Sequence, residues 1–224
     1  MRVICGGEFN QHWKAQTILD DDIETERVVR EIVGAVRAQG DAAVRKFASK
    51  FDRASPFELE VPFSQAAHAL AELRENDPVL VEALEFAAQN IIRFSMKQKE
   101  QFTDFEFEMA CGLFTGQKVI PVQRAAVYIP AGRFPLFSSV LMCMIPALCA
   151  GVEEVILTSP PAEDGFPDMK ILAAAAIAAK VLGSEKKVRI FVMGGAQAIA
   201  ALAFGTESVP RVDVITGPGN KYVA

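Results

Sequence analysis

Three residues suited to holding a polar ligand close apolar runs in the second half of the chain: Tyr128, Gln197 and Asn220. Tyr128 offers an aromatic face and a hydroxyl. Gln197 and Asn220 can each donate and accept hydrogen bonds, which suits an amide or a ribose. Each stands in a loop rich in glycine or proline. The loops are Tyr128-Ile129-Pro130-Ala131-Gly132-Arg133, Thr158-Ser159-Pro160-Pro161, Met193-Gly194-Gly195-Ala196-Gln197 and Gly217-Pro218-Gly219-Asn220. Glycine lets a ligand approach the backbone closely, and a helix N-terminus offers N–H groups to an anion. The four loops together fit a polar ligand of nucleotide size. No complete G-x-G-x-x-G fingerprint occurs; the segment from Gly217 to Tyr222 fails at its third glycine.

Acid, base and metal chemistry is sparse. The histidines are His12 and His68, and the cysteines at 5, 111, 143 and 149 show no C-x-x-C spacing, so no zinc cluster can be read from the sequence. Cys143 and Cys149 lie in an apolar helical run and read as small core residues. With 51% of its 224 residues hydrophobic, the chain can build the core of one or two domains. The net charge of −5, with only Lys186-Lys187 as a basic pair near a loop, argues against a nucleic-acid partner. No basic stretch followed by an apolar run opens the sequence, and no apolar run reaches the ~20 residues of a bilayer span. The expectation is a cytoplasmic protein without membrane contact.

The elements that must position these residues fall into two parts. Residues 20 to 100 carry helical signals. Asp20-Asp21-Asp22 precedes a first helix, and Val28, Ile32 and Val36 recur on one of its faces. Gly40 interrupts, Asp41 can cap, and Val44, Phe47 and Phe51 resume the spacing. Ser64 is a candidate cap for the next helix, and Asn76-Asp77-Pro78 opens another with Leu80, Leu84, Ala87, Ile91 and Phe94 as its stripe. These helices show no evident sheet partner of their own. "FEFEM" alternates like a half-buried strand, and "GQKVIPV" reads as a further short strand.

From Ala125 onward strands and helices alternate: "AAVYIP", "SSVLMCMIPALCAG" with Ser138 or Ser139 as cap, "EEVILTSPP", "PDMKILAAAAIAAKVLG", "VRIFVMGG", "AQAIAALAFG" and "VDVITGPG". Strands this apolar are buried on both faces, as in a parallel sheet covered by helices. The expected fold is α/β: an N-terminal helical region with short strands, then a doubly wound, mostly parallel Rossmann-like sheet. Residues 1–124 form the helical region and part of a first α/β domain; residues 125–224 form the Rossmann-like domain. In such sheets ligands bind at the carboxyl ends of the strands, so the four loops share one rim.

Three stretches, "GQKVIPVQRAAVYIPAGRFPLFSSVLM", "AGVEEVILTSPP" and "GGAQAIAALAFGTESVPRVDVITGPGN", resemble histidinol dehydrogenases, and "GDAAVRKFASKFD" at 40–52 resembles that family's N-terminal helical signature. The resemblance implies a homodimeric enzyme that oxidises an amino alcohol, L-histidinol, through its aldehyde to L-histidine in histidine biosynthesis. It also implies NAD as cofactor and a zinc ion that binds the substrate. By the same resemblance, Tyr128, Gln197 and Asn220 are cofactor contacts. The loop reads "PAGR" where many members carry two glycines.

In the family the catalytic glutamate and histidines and the zinc ligands follow the G-P-G-N loop. They are therefore expected after Ala224, so the sequence supplies no catalytic and no metal residue. His12 and His68 match no family ligand. The chain reads as an N-terminal portion, expected to be inactive alone and to bind NAD weakly or not at all. Two alternatives stand beside this reading: a paralogous dehydrogenase of another small polar alcohol, and a non-catalytic nucleotide-binding fragment.

Overall fold

The structure is a computed structural model describing residues 23–52, 54, 58–130, 134–219, 222 and 223. The elements in chain order are α1 (Ile23–Gln39), α2 (Asp41–Phe51), β1 (Glu60–Val61), α3 (Phe63–Asn76), α4 (Pro78–Lys99), β2 (Phe105–Ala110) and β3 (Leu113–Gln117). Then come β4 (Arg124–Tyr128), α5 (Phe137–Ala150), β5 (Glu154–Ser159), α6 (Met169–Lys180), β6 (Val188–Val192), α7 (Gly195–Phe204) and β7 (Val214–Thr216). The alternating second half folds as its apolar runs require. One sheet runs β1-β6-β5-β4-β7, parallel except for β1, which pairs antiparallel with β6.

The period-2 geometry of a strand sends alternate side chains to opposite faces. Ala125, Val127, Val155, Leu157 and Ile190 enter a core with α3, α4, α5 and α6. Ala126, Tyr128, Ile156 and Phe191 enter a second core with α1, α2 and α7. α6 is interior over its whole middle: Ile171 through Ala179 are all buried. Its alanines lower the cost of close approach, so α6 packs against α3 and α5 together. The doubly wound α/β expectation therefore holds.

The N-terminal helices find their partner in this same sheet. Sequence periodicity locates a helix's apolar stripe but not the surface that covers it. The stripe of α1 behaves as spaced: Ile32 and Val36 are 4% and 1% exposed. A polar link to the segment after α7 adds to this apolar contact. Asp41 accepts hydrogen bonds from Thr206 Oγ1 and Ser208 Oγ, both at 2.5 Å, and its own N–H donates to Glu207 Oε2 at 2.8 Å. Burial pushes the Asp41 carboxyl up, but the Ser208 and Thr206 hydrogen bonds outweigh it, and the pKa stands below the ordinary value. Asp41 thus ties two segments together instead of capping its own helix.

Capping elsewhere divides. Asp77 caps α4 through Leu80 N with Pro78 at the first position, as the sequence predicts. Ser64, Ser138 and Ser139 fall inside first turns and cap nothing; α3 and α5 begin at Phe63 and Phe137 without a side-chain cap. Asp20-Asp21-Asp22 lies outside the described residues.

Two strand expectations need correction. "FEFEM" is a strand, but β2 pairs only with β3, and all six of its residues are exposed. Alternation anticipates a covered face; here no described element covers it. β3 ends at Gln117, so "GQKVIPV" contributes only its first two residues to a strand. β7 is short and half-exposed; among the described residues it stands at the sheet's edge and pairs with β4 alone.

Candidate functional site

Parallel pairing brings the carboxyl ends of β4, β5, β6 and β7 to one edge, so the four loops meet there as the strand pattern predicts. Of the three candidate contacts, Tyr128 and Gln197 come together around Gly194-Gly195. Asn220 and the Ala131-Gly132-Arg133 part of the first loop lie outside the described residues. Tyr128 ends β4 on the α1/α2/α7 face and is 3% exposed. Its Oη accepts the Gly195 N–H at 3.1 Å, so the hydroxyl anchors the first turn of α7. Burial pushes the Tyr128 pKa up. Gln197 is 1% exposed on α7, and its Nε2 is buried without a hydrogen-bond partner.

A third side chain completes the cluster, and sequence reading gave it no role. Asp52, which follows α2, turns its carboxyl toward the same loop; its Oδ2 is also buried and unpartnered. Burial raises its pKa from the ordinary 3.8 to about 6, against a smaller opposing influence from Gln197. The amide thus approaches the carboxyl closely enough to favour its charged form, short of a well-formed bond, since Nε2 and Oδ2 stay unpaired. The available signal was its place as the last residue of "GDAAVRKFASKFD", but an aspartate after a helix ordinarily reads as a solvated turn.

The loop glycines also let the strand-end loops approach one another. A Cβ on Gly194 would lie 2.5 Å from Pro160 Cγ, and one on Gly217 would overlap the Tyr128 carbonyl. Protein atoms make these approaches. The loops are glycine-rich because the strand ends interlock. Thr158 adds to this: its Oγ1 donates to the Met193 carbonyl at 2.9 Å, joining the β5 loop to the β6 loop.

Buried donors and acceptors are normally paired. The unpaired Gln197 Nε2 and Asp52 Oδ2 beside a ten-residue helix's N-terminus are therefore features that a polar group entering here would satisfy. They fit a cofactor rich in hydroxyls and amides such as NAD. A zinc ion does not fit: among the described residues no three His, Cys, Asp or Glu side chains group to hold a metal. His68 is exposed on α3, across the sheet from Tyr128.

Architecture and rim define a doubly wound, Rossmann-like α/β protein with its polar cluster at the strands' carboxyl ends. The histidinol dehydrogenase family model matches residues 16–224. The histidinol dehydrogenase of Aquifex aeolicus is 45% identical over 203 residues, which are 90% of this chain and 43% of the relative. That of Pseudomonas aeruginosa is 42% identical over 221 residues, 97% of this chain and 47% of the relative. The crystal structure of histidinol dehydrogenase from Elizabethkingia anophelis superposes with a TM-score of 0.77 at 34% identity, covering 88% of this chain and 43% of that one. The chain belongs to the histidinol dehydrogenase family, a family of oxidoreductases, and it spans a little under half the length of these relatives. Among the described residues no helix is long and apolar enough to cross a membrane.

Proposed function

We propose that this chain is the cofactor-side portion of a cytoplasmic, homodimeric histidinol dehydrogenase that oxidises L-histidinol to L-histidine via histidinaldehyde, dependent on NAD and zinc. The observation that carries the proposal is the family match over residues 16–224, together with the buried polar cluster at the carboxyl rim. NAD would supply a hydride acceptor for the substrate's carbinol carbon. Tyr128, Gln197 and Asn220 would hold it. Tyr128 anchors the first turn of α7 by accepting the Gly195 N–H, and that fixes where the helix begins at the rim. Gln197 supplies donor and acceptor atoms in a site that excludes water, where each hydrogen bond counts for more than in solvent. Among the described residues no group of His, Cys, Asp or Glu stands ready to hold zinc. The 224-residue chain alone is expected to be inactive.

The test joins residues 1–224 to the part of the Aquifex aeolicus enzyme that follows its matching segment. The joined protein is expected to form NADH from histidinol, whereas the 224-residue chain yields none above a chelated control. A folded, dimeric joined protein that oxidises another amino alcohol but not histidinol would overturn the substrate assignment.

A further inference from the structure

Asp52 is separated from Gln197 by most of the chain, yet the two share one corner. The Asp52 N–H closes α2 on the Ala48 carbonyl at 2.8 Å, which sets the direction of the side chain. Asp52 Oδ1 lies 3.2 Å from the position a Cβ on Gly194 would take. Gln197 folds back over the same turn, with Oε1 2.8 Å from the position a Cβ on Gly195 would take. An unused acceptor on Asp52 and an unused donor on Gln197 are therefore both buried at this corner. A glutamine amide has two orientations of equal shape and opposite polarity. No side chain on α7 selects between them, because the residues three and four positions on, Ala200 and Ala201, are apolar. A carboxylate selects strongly: once ionised it only accepts, so it draws the NH2 end toward itself.

We propose that Asp52 is a positioning residue for Gln197, holding the amide with Nε2 toward the end of α2 and Oε1 over Gly195. The inference rests on the reading of Gln197 as a cofactor contact. It assigns the N-terminal helical region a part in the site that the carboxyl-end loops alone do not supply. Without Asp52 the amide samples both orientations, and the cofactor meets the wrong one part of the time. With Asp52 ionised the site is set before the cofactor arrives, and affinity no longer carries the cost of selecting one orientation. Burial leaves the carboxyl with a pKa of about 6, so it is ionised at pH 8.

The test uses the joined enzyme at pH 8 with Asp52→Leu, Asp52→Asn and Gln197→Ala. Asp52→Leu removes the acceptor at similar volume. It is expected to raise KM for NAD about tenfold, with kcat changed less than about threefold and no loss of thermal stability. Asp52→Asn keeps one acceptor oxygen and is expected to recover most of that loss. In the 224-residue chain, the Gln197 side-chain 15N amide signal, identified by its absence in Gln197→Ala, is expected to move and lose solvent protection in either Asp52 variant, more in the Leu one. If Gln197→Ala raises KM while both Asp52 variants leave KM and the amide signal unchanged, the positioning role is wrong and the cofactor reading stands. A fall in stability with KM unchanged also overturns it, by assigning Asp52 a packing role. If Gln197→Ala leaves KM unchanged, the cofactor reading fails, and the amide signal alone decides whether Asp52 orients Gln197.

Discussion

The carboxyl rim of the sheet and the β2–β3 hairpin are built from similar material, and the fold treats them in opposite ways. Both combine apolar strand residues with glycine turns. In the strands that carry the rim, Ile156 and Leu157 are fully buried, and at the rim itself Gly194 and Gly217 are pressed against neighbouring loops. In the hairpin and the segment after it, Phe105, Phe107, Met109, Phe114 and Ile120 are all more than half exposed. Composition sets how much a segment gains by burial. Only topology decides whether a partner surface is there, and the sheet between two helical layers supplies one on each face.

The widest break between the two regions is in core truncation. Leu157→Ala is expected to cost about 3 kcal/mol or more, because the removed atoms leave a cavity between packed layers. Phe107→Ala, which deletes a larger side chain, is expected to stay within about 0.5 kcal/mol. Urea denaturation of both variants checks the pair. A loss at Phe107 as large as that at Leu157 would mean that the hairpin is covered.

Glycine replacement gives a narrower contrast. Gly194→Ala is expected to cost roughly 2 kcal/mol, since the Pro160 ring cannot swing aside as a flexible side chain would. Gly112→Ala, in the hairpin turn at φ +77°, meets nothing within 4 Å. It is expected to cost only the ~1 kcal/mol of its left-handed backbone. Thermal melts of the two variants should preserve that order.

The smallest effect concerns pH. Below the ordinary 3.8, Asp52 is protonated whether the chain is folded or unfolded, and it contributes no penalty. As pH rises from there through about 6, the unfolded chain releases the proton first, so stability falls; above about 6 the penalty is complete. Asp52→Asn is expected to remove this slope. At pH 7 it should stabilise the fold by roughly 1 kcal/mol, a figure reduced for the carboxyl's partial exposure. Denaturation at pH 4 and pH 7 checks the sign.

Much of the rim was legible because its signals are local. Four apolar strands separated by helices dictate parallel pairing, and parallel pairing gathers their carboxyl ends, so Tyr128 and Gln197 could be placed together before any coordinates. Asp52 could not, because its chemistry comes from burial beside α7, a contact between the two ends of the described chain. The glycines were legible as positions of close approach, but not that Pro160 and the Tyr128 carbonyl are among what approaches them. The caps at Ser64, Ser138 and Ser139 failed because side chains that can cap are common and helix starts are set by packing. Asp77-Pro78 succeeded because proline fixes the first turn.

The central claim is that the corner formed by Tyr128, Gly195, Gln197 and Asp52 holds the nicotinamide cofactor. Its most direct test is KM for NAD in the joined enzyme carrying Gln197→Ala. The account predicts a rise of about tenfold or more with KM for histidinol nearly unchanged; an unchanged KM for NAD in a folded, active variant would contradict it.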